Sequence, residues 1–182
     1  MVLFYCDLSS WSQSGATPIP PLTIKRKRSQ NELSPQELGL LENSWNPNIM
    51  RRLMAERFQR GASLWVVKWE EQIAGYGWTL PGATMEPHFF PIGIHDVHLF
   101  DFRIFPEYRG RRINPSLVGH ILYELATDGK SRVFIEAEEW NQAQLSSLSR
   151  TPFRPLGLAL RFRILGKTIV IWSAAPLPTQ IG

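Results

Sequence analysis

The sequence predicts an α/β (mixed α+β) fold, a central mixed sheet flanked by helices, and three observations carry that prediction. From Val97 onward, strand-like runs alternate with an amphipathic helix and a short capped helix, which implies crossovers between roughly parallel strands. Ahead of them, Leu64–Trp69 and Gln72–Leu80 form an antiparallel hairpin rich in Trp65, Val66, Val67, Ile73, Tyr76 and Trp78, turning at Glu70-Glu71. Between the first strand and that hairpin lie two helix start signals, Ser34-Pro35-Gln36-Glu37 and Asn46-Pro47. At 182 residues the chain suits one domain with a substantial core.

The expected organisation is a flexible N-terminal tail over 1–20, a single domain over 21–174 and a C-terminal tail over 175–182. Ser9, Ser10, Ser12, Ser14, Gly15, Pro18, Pro20 and Pro21 give the first segment no periodic apolar face, although Phe4, Tyr5 and Trp11 could dock on the body. Leu22–Arg28 alternates apolar and basic residues and reads as a short strand. Its Lys25-Arg26-Lys27-Arg28 run reads as a solvated face rather than a nucleic-acid patch. The capping box at Ser34 and Glu37 starts a helix over 35–43. A second helix follows Asn46-Pro47, with Ile49, Met50, Leu53, Met54 and Phe58 at helical spacing, and Gly61 ends it.

Gly75 and Gly77 flank Tyr76 inside the second hairpin strand, where glycine marks a bulge or a close backbone approach. Pro81 to Ile94 is a long loop. His88, Phe89 and Phe90 make it either a wall or lid for a second substrate, or a surface loop whose aromatics cover the core. After the central strand, Leu117, Val118, Ile121, Leu122 and Leu125 form the buried stripe of a helix from Pro115 to about Thr127, with Gly129 just past its end. A strand over Val133–Ala137 leads to Asn141, which caps a brief helix with Gln144 completing the box. Phe153–Ile164 and Lys167–Trp172 then form strands joined at Leu165-Gly166.

Net charge of +4 is compatible with an anionic ligand and too small to argue for nucleic acid. A single cysteine, Cys6, excludes an intramolecular disulfide framework and a cysteine-rich zinc site. No apolar run approaches the ~20 residues that span a bilayer, and the first residues lack a basic, apolar leader, so a cytoplasmic location is expected. Four scattered histidines and no paired-carboxylate cluster lead to the expectation of no metal.

The organising stretch is Asp96–Asn114. A β-branched and aromatic strand is stopped by Pro106, followed by a turn carrying Arg109, Gly110, Arg111 and Arg112, then by Asn114-Pro115 as N-cap and first helical residue. Free amides, the positive end of a helix dipole and three guanidinium groups meet there. That combination suits a phosphorylated ligand.

Ile104-Phe105-Pro106-Glu107-Tyr108-Arg109-Gly110-Arg111 resembles the strand and turn of the GNAT superfamily of N-acetyltransferases, written V-x-P-E-Y-R-G. Asn141, Arg150 and Phe153 are similarly spaced to that family's later Asn, Lys and Phe. The helix pair with the Trp65–Leu80 hairpin looks like its front half, so the resemblance spans roughly 22–173. Arg112 and Asn114 stand where the family has glycines, Leu148 where it often has a tyrosine general acid, and Pro152 in place of a glycine.

The resemblance implies a GNAT-like acyl-CoA N-acyltransferase fold. The implied activity is direct transfer of an acetyl or other acyl group from acyl-coenzyme A to an amine-bearing small molecule or sugar, in a ternary complex. It implies acetyl-CoA or another acyl-CoA as co-substrate, no metal, and a homodimer as one assembly open to it. Backbone groups of Phe102, Arg103, Ile104 and Phe105 would meet the pantetheine arm. Arg109, Gly110, Arg111, Arg112, Ile113 and Asn114 would hold the pyrophosphate, with Asn141 nearby.

His98 and Asp101 are the first candidates for the catalytic base, with Asp96, His95, Glu136, Glu138 and Glu139 behind them. Strict alternation would put His98 on one face with Phe100, Phe102 and Ile104, and Asp101 on the other with Leu99 and Arg103. His98 could equally be a satisfied core histidine, and Asp101 a partner of Arg103. Tyr108, Ser146, Ser147 or water would protonate the leaving thiolate. Two other readings remain: a GNAT-fold binding or assembly module without catalysis, and a basic nucleic-acid binder.

Overall fold

The computed structural model of the chain describes residues 1–9, 20–44, 46–86 and 88–174. Its elements in chain order are β1 (Val2–Asp7), β2 (Leu22–Lys27), α1 (Pro35–Asn43), α2 (Pro47–Gln59), β3 (Ser63–Trp69), β4 (Gln72–Pro81), β5 (Asp96–Ile104), α3 (Ile113–Thr127), β6 (Arg132–Ala137), α4 (Gln142–Leu148), β7 (Arg154–Ile164) and β8 (Lys167–Ser173). The strands form one mixed sheet in the order β2-β3-β4-β5-β6-β1-β7-β8. β5 and β6, joined through α3, are the parallel pair, and the other neighbours run antiparallel.

Local chemistry accounts for most element ends. Ser34 Oγ accepts from the Glu37 amide while the Glu37 carboxylate accepts from the Ser34 amide, completing the box that starts α1. Asn46 Oδ1 accepts from the amides of Asn48 and Ile49 at the start of α2. Gly61, at φ +84°, takes the left-handed turn that ends α2.

Two apolar layers sandwich the sheet. On one face α3 buries Leu117, Val118, Ile121, Leu122 and Leu125 against Trp65, Val67, Val97, Leu99, Val133 and Ile135. On the other, Leu41 of α1 and Met54 of α2 pack on Leu64, Val66, Tyr76, Trp78 and Leu80. The methionines are therefore core, as their helical spacing predicts.

The expected tail over 1–20 is corrected at its start. Val2–Asp7 is an inner strand between β6 and β7, antiparallel to both. Val2, Leu3, Phe4, Cys6 and Leu8 are buried. Both faces of this strand are covered, so the run Val-Leu-Phe-Tyr-Cys carries no polar alternation to announce it. Residues 10–19 and 175–182, the rest of the expected tails, lie outside the described residues. β6 and β7 do run parallel to each other, yet a strand from the other end of the chain separates them. No helix among the described residues is long and apolar enough to cross a membrane.

Candidate functional site

β5 and β6 pair only at Asp96 with Arg132, Val97 with Val133 and His98 with Phe134. Both strands continue past that last rung without further pairing to each other. β5 stays on β4, but Trp78 pairs with Phe100 and Tyr76 with Arg103, so Asp101 and Phe102 together oppose Gly77. This is a bulge, with Asp101 in the left-handed region at φ +50°. It needs the two glycines that flag it in the sequence. A Cβ on Gly77 would lie 2.5 Å from the Phe102 ring, and one on Gly75 would lie 2.3 Å from the Arg103 carbonyl oxygen.

A cleft of about 690 Å³ opens where the strands part, bounded by the end of β5, the arginine turn, the start of α3 and α4. Arg103, Arg109, Arg112 and Arg150 reach it, and Asp101 is the one carboxylate on its wall among the described residues. Beyond His98 the edge of β5 that faces β6 has no strand partner among the described residues. Arg109 Nε donates to the Ile104 carbonyl at 3.3 Å, which ties the arginine turn to that edge. The amides of residues 110–114 have no acceptor among the described residues. Unpaired amides at a helix start beside guanidinium groups form an anion-binding surface.

The start of α3 differs from the sequence expectation. The helix begins at Ile113, and Arg112 is its N-cap residue at φ 58° and ψ 22°. Asn114 thus sits inside the first turn instead of capping it. Its Nδ2 donates to Ser147 Oγ at 2.8 Å, bridging α3 to α4. Arg112 takes the backbone conformation that a glycine would supply there, at a cost of about 1–2 kcal/mol for an L-residue.

Of the predicted binding residues, Phe102, Arg103, Ile104, Arg109, Gly110, Arg112, Ile113, Asn114 and Asn141 line the cleft. Two do not. Arg111 stacks on Trp69 and Tyr108, with its guanidinium carbon 4.9 and 5.8 Å from the ring centroids. Phe105 packs into the opposite layer, against Tyr76 at 6.4 Å between rings. Asn141 accepts from the Gln144 amide and so caps α4, as predicted. Tyr108, Ser146 and Ser147 reach the cleft, while Leu148, though it contributes to the wall, is anchored in the core with 2% of its surface exposed.

The bulge also corrects the expected alternation along β5. Phe102 and Ile104 pack with the α3 layer, the side of Val97 and Leu99, whereas Phe100 packs with the α2 layer. One extra residue at Asp101 swaps the faces, so His98 does not share a side with Phe102. Asp101 reaches the cleft, and its Oδ2 accepts from Arg57 Nη1 at 2.6 Å, not from Arg103. Arg103 Nη1 donates instead to the Ser44 carbonyl.

His98 does not line the cleft. It is 5% exposed, its ring stacks on Phe100 at 5.4 Å, and its Nε2 lies 2.8 Å from Glu136 Oε2. Burial alone would raise the Glu136 pKa, but the His98 hydrogen bond and the nearby charges of His98, His88 and Arg161 outweigh it and hold the carboxyl below its usual range. Asp96 is locked at the far end of β5 by two bonds from Arg132 and one from the Gly93 amide. The loop between β4 and β5 lays Phe89 on Leu3 and Ala159, and Phe90 on Phe134 and Trp172, so its aromatics cover the sheet. Sequence reasoning missed the Arg57–Asp101 and His98–Glu136 pairings, because residues 44 and 38 positions apart carry no local signal.

A mixed sheet whose parallel pair parts over an arginine turn and a helix start defines an α/β class with an anion-binding surface at its seam. The model of the acetyltransferase (GNAT) family matches residues 30–147, and the chain belongs to that family. No curated protein is matched.

Solved structures share the fold at low identity. A Novosphingobium aromaticivorans protein assigned to the GNAT family is 14% identical with a TM-score of 0.55, covering 85% of this chain and 59% of its own. The IAA acetyltransferase of Bacillus cereus is 16% identical with a TM-score of 0.53, covering 84% and 99%. AAC(6')-Iy, bound to the bisubstrate analogue CoA-S-monomethyl-acetylneamine, is 13% identical with a TM-score of 0.51, covering 70% and 87%. The chain thus spans little more than half the length of the first of these.

Proposed function

We propose that this chain transfers an acetyl or other acyl group from acyl-coenzyme A to a primary amine, by direct attack within a ternary complex. The observation that carries this reading is the cleft itself. Unpaired amides at the start of α3 stand beside Arg109, Arg112 and Arg150, and an unpaired edge of β5 leads inward from them. The amides and guanidinium groups suit a pyrophosphate. The strand edge suits the two amides of a pantetheine arm. Family membership supports the same donor.

Asp101 is the residue we assign to the amine. As the one carboxylate among the described residues on a wall with four arginines, it is the group suited to attract an ammonium and take its proton. The amine nitrogen attacks the thioester carbonyl, a C–N bond forms and the C–S bond breaks. Nitrogen gives up two protons in all, and one ends on the sulfur. Leu148 cannot deliver that proton, which leaves Tyr108, Ser146, Ser147 or water.

Calorimetry with acetyl-CoA should give micromolar binding, weakened about tenfold by Arg150→Ala, the effect of losing one charge-assisted contact. Asp101→Asn should keep that binding and lose release of free thiol across a panel of amines and amino sugars. Absence of acetyl-CoA binding at millimolar ligand would remove this reading. A second reading, a fold kept for binding alone, is favoured by Arg112, Asn114 and Leu148 in place of the family's glycines and tyrosine. Tight coenzyme A binding with no thiol release from any amine would select it.

A further inference from the structure

We infer that His88, His98 and Glu136 form a site for one divalent transition-metal ion, with zinc best matched to the donor set. The three come from separate segments: the β4–β5 loop, the last rung of β5 that pairs with β6, and β6 two residues beyond the Phe134 that pairs with His98. One potential ligand atom from each lies within 4.8 Å of the others. The cluster is away from the acyl-CoA cleft, since none of the three lines it.

A hydrogen bond between His98 and Glu136 accounts for two of these side chains but leaves His88 unexplained. Both of its ring nitrogens are buried and have no partner among the described residues, and His98 Nδ1 is likewise buried without one. Buried imidazoles are ordinarily satisfied, so a pair of histidines with three idle nitrogens beside a carboxylate calls for a further partner. An acceptor alone would serve only a protonated nitrogen. A metal ion serves the lone pair, and the lone pair is what His88 offers. Burial pushes its pKa down to about 4, with the Glu136 charge opposing and the His98 and Arg161 charges adding to the shift.

Glu136 supplies the negative charge such a site needs and is held ionised, while Arg161 Nη2, 3.9 Å from its other oxygen Oε1, engages that oxygen and leaves Oε2 toward His98, its own charge opposing the ion. Phe89, Phe90 and Phe134 wall His88 with ring centroids 5.3, 4.8 and 6.5 Å away, a low-dielectric shell that strengthens coordination. Zinc bonds to imidazole nitrogen and carboxylate oxygen at about 2.0–2.2 Å, so tetrahedral ligand atoms sit roughly 3.3 Å apart. The His98–Glu136 contact of 2.8 Å must open slightly, and His88 must close in. His88 is on a loop outside regular structure, where such a shift is easily accommodated.

Two nitrogens and one oxygen suit zinc, and three protein ligands leave a coordination position for water. An ion there fastens the β4–β5 loop to both strands of the seam, at the point where they part.

The test uses the full chain, stripped with a chelator and titrated with Zn²⁺ by calorimetry and with Co²⁺ by visible absorption. The wild type should take up one Zn²⁺ per chain with micromolar or tighter affinity, and Co²⁺ should show the intense absorption of a four-coordinate site. His88→Ala, a loop change that leaves the sheet intact, should weaken Zn²⁺ by at least ~10-fold, and Glu136→Gln similarly. His95→Ala should bind as wild type. Zn²⁺ should slow proteolysis within residues 82–95 of the wild type but not of His88→Ala. Equal Zn²⁺ affinity in wild type and His88→Ala, or no uptake by wild type at about 100 μM free Zn²⁺, a level far above micromolar affinity, would overturn the site. Neither result depends on coenzyme A binding or turnover.

Discussion

The two halves of the sheet meet at the β5–β6 seam and are built in different ways. In β2-β3-β4-β5 each strand pairs with the next strand in the chain, and α1 and α2 are set by local caps. In β6-β1-β7-β8 the inner strand comes from the opposite end of the chain and holds β6 and β7 together. The first half is closed by neighbours and the second by a long-range contact. Among the described residues the strand ladder between the halves is three residue pairs long, and the cleft opens where that pairing stops.

The largest expected effect tests this division. Removing residues 1–8 takes away the strand that pairs with both β6 and β7 and exposes the core surface that Val2, Leu3, Phe4, Cys6 and Leu8 cover. At about 1.5–3 kcal/mol for each buried side chain, the loss rivals the roughly 5–15 kcal/mol that stabilise a typical domain. The truncated chain should show no cooperative thermal transition by circular dichroism. A truncated protein that melts near the wild-type temperature would make β1 an accessory and erase the contrast.

Within the first half, the bulge is the most sensitive point. Gly77→Ala places a Cβ 2.5 Å from the Phe102 ring, and the ring must shift against the α3 layer. The expected cost is about 2–3 kcal/mol, or roughly 5–10 °C in Tm. Gly39→Ala is its counterpart. No atom lies within 4 Å of a Cβ at that helical position, so this change should raise stability by about 0.5–1 kcal/mol. Equal effects from the two changes would mean that the bulge carries no constraint.

The same contrast explains what the sequence revealed. Ser34 and Glu37, Asn46, Gly61 and Asn141 act within a few residues of themselves, and each is where local chemistry puts it, while Gly75 and Gly77 are legible because glycine inside a strand marks a close approach whatever approaches. The arginine turn was legible for the same reason. β1 was not, because an inner strand covered on both faces shows no alternation and its partners lie at the other end of the chain. The faces of β5 were misread because a single added residue at Asp101 inverts every side chain after it. The partners Arg57 for Asp101 and Glu136 for His98 were not legible, since a helix and a neighbouring strand deliver them through tertiary packing.

A smaller effect probes the local chemistry of the first half. Burial opposes ionisation of Glu37, but the Ser34 amide, Lys68 and Lys27 outweigh it and lower its pKa. A carboxyl whose folded pKa lies below its unfolded value, near 4.3, contributes stability above that pH and loses it as pH falls through the folded value. Glu37→Gln should therefore cost about 1 kcal/mol at neutral pH, the scale of a helix cap, with the gap to wild type closing below about pH 4. A gap that persists in acid would show that shape, not charge, holds the box.

The smallest effect on stability, and the most informative about the seam, belongs to Arg112→Gly. The substitution relieves about 1–2 kcal/mol of left-handed strain but adds roughly 0.5–1 kcal/mol of unfolded-state freedom. The net change in thermal stability should be near zero or slightly favourable. Coenzyme A affinity should move the other way, falling severalfold, because one of four guanidinium groups on the cleft is gone. Stability and binding then separate at one residue, which is what a strained backbone kept for its side chain predicts. If affinity instead rises with the glycine, Arg112 obstructs the phosphate position, and the arginine is a mark of a cleft that has drifted from its donor.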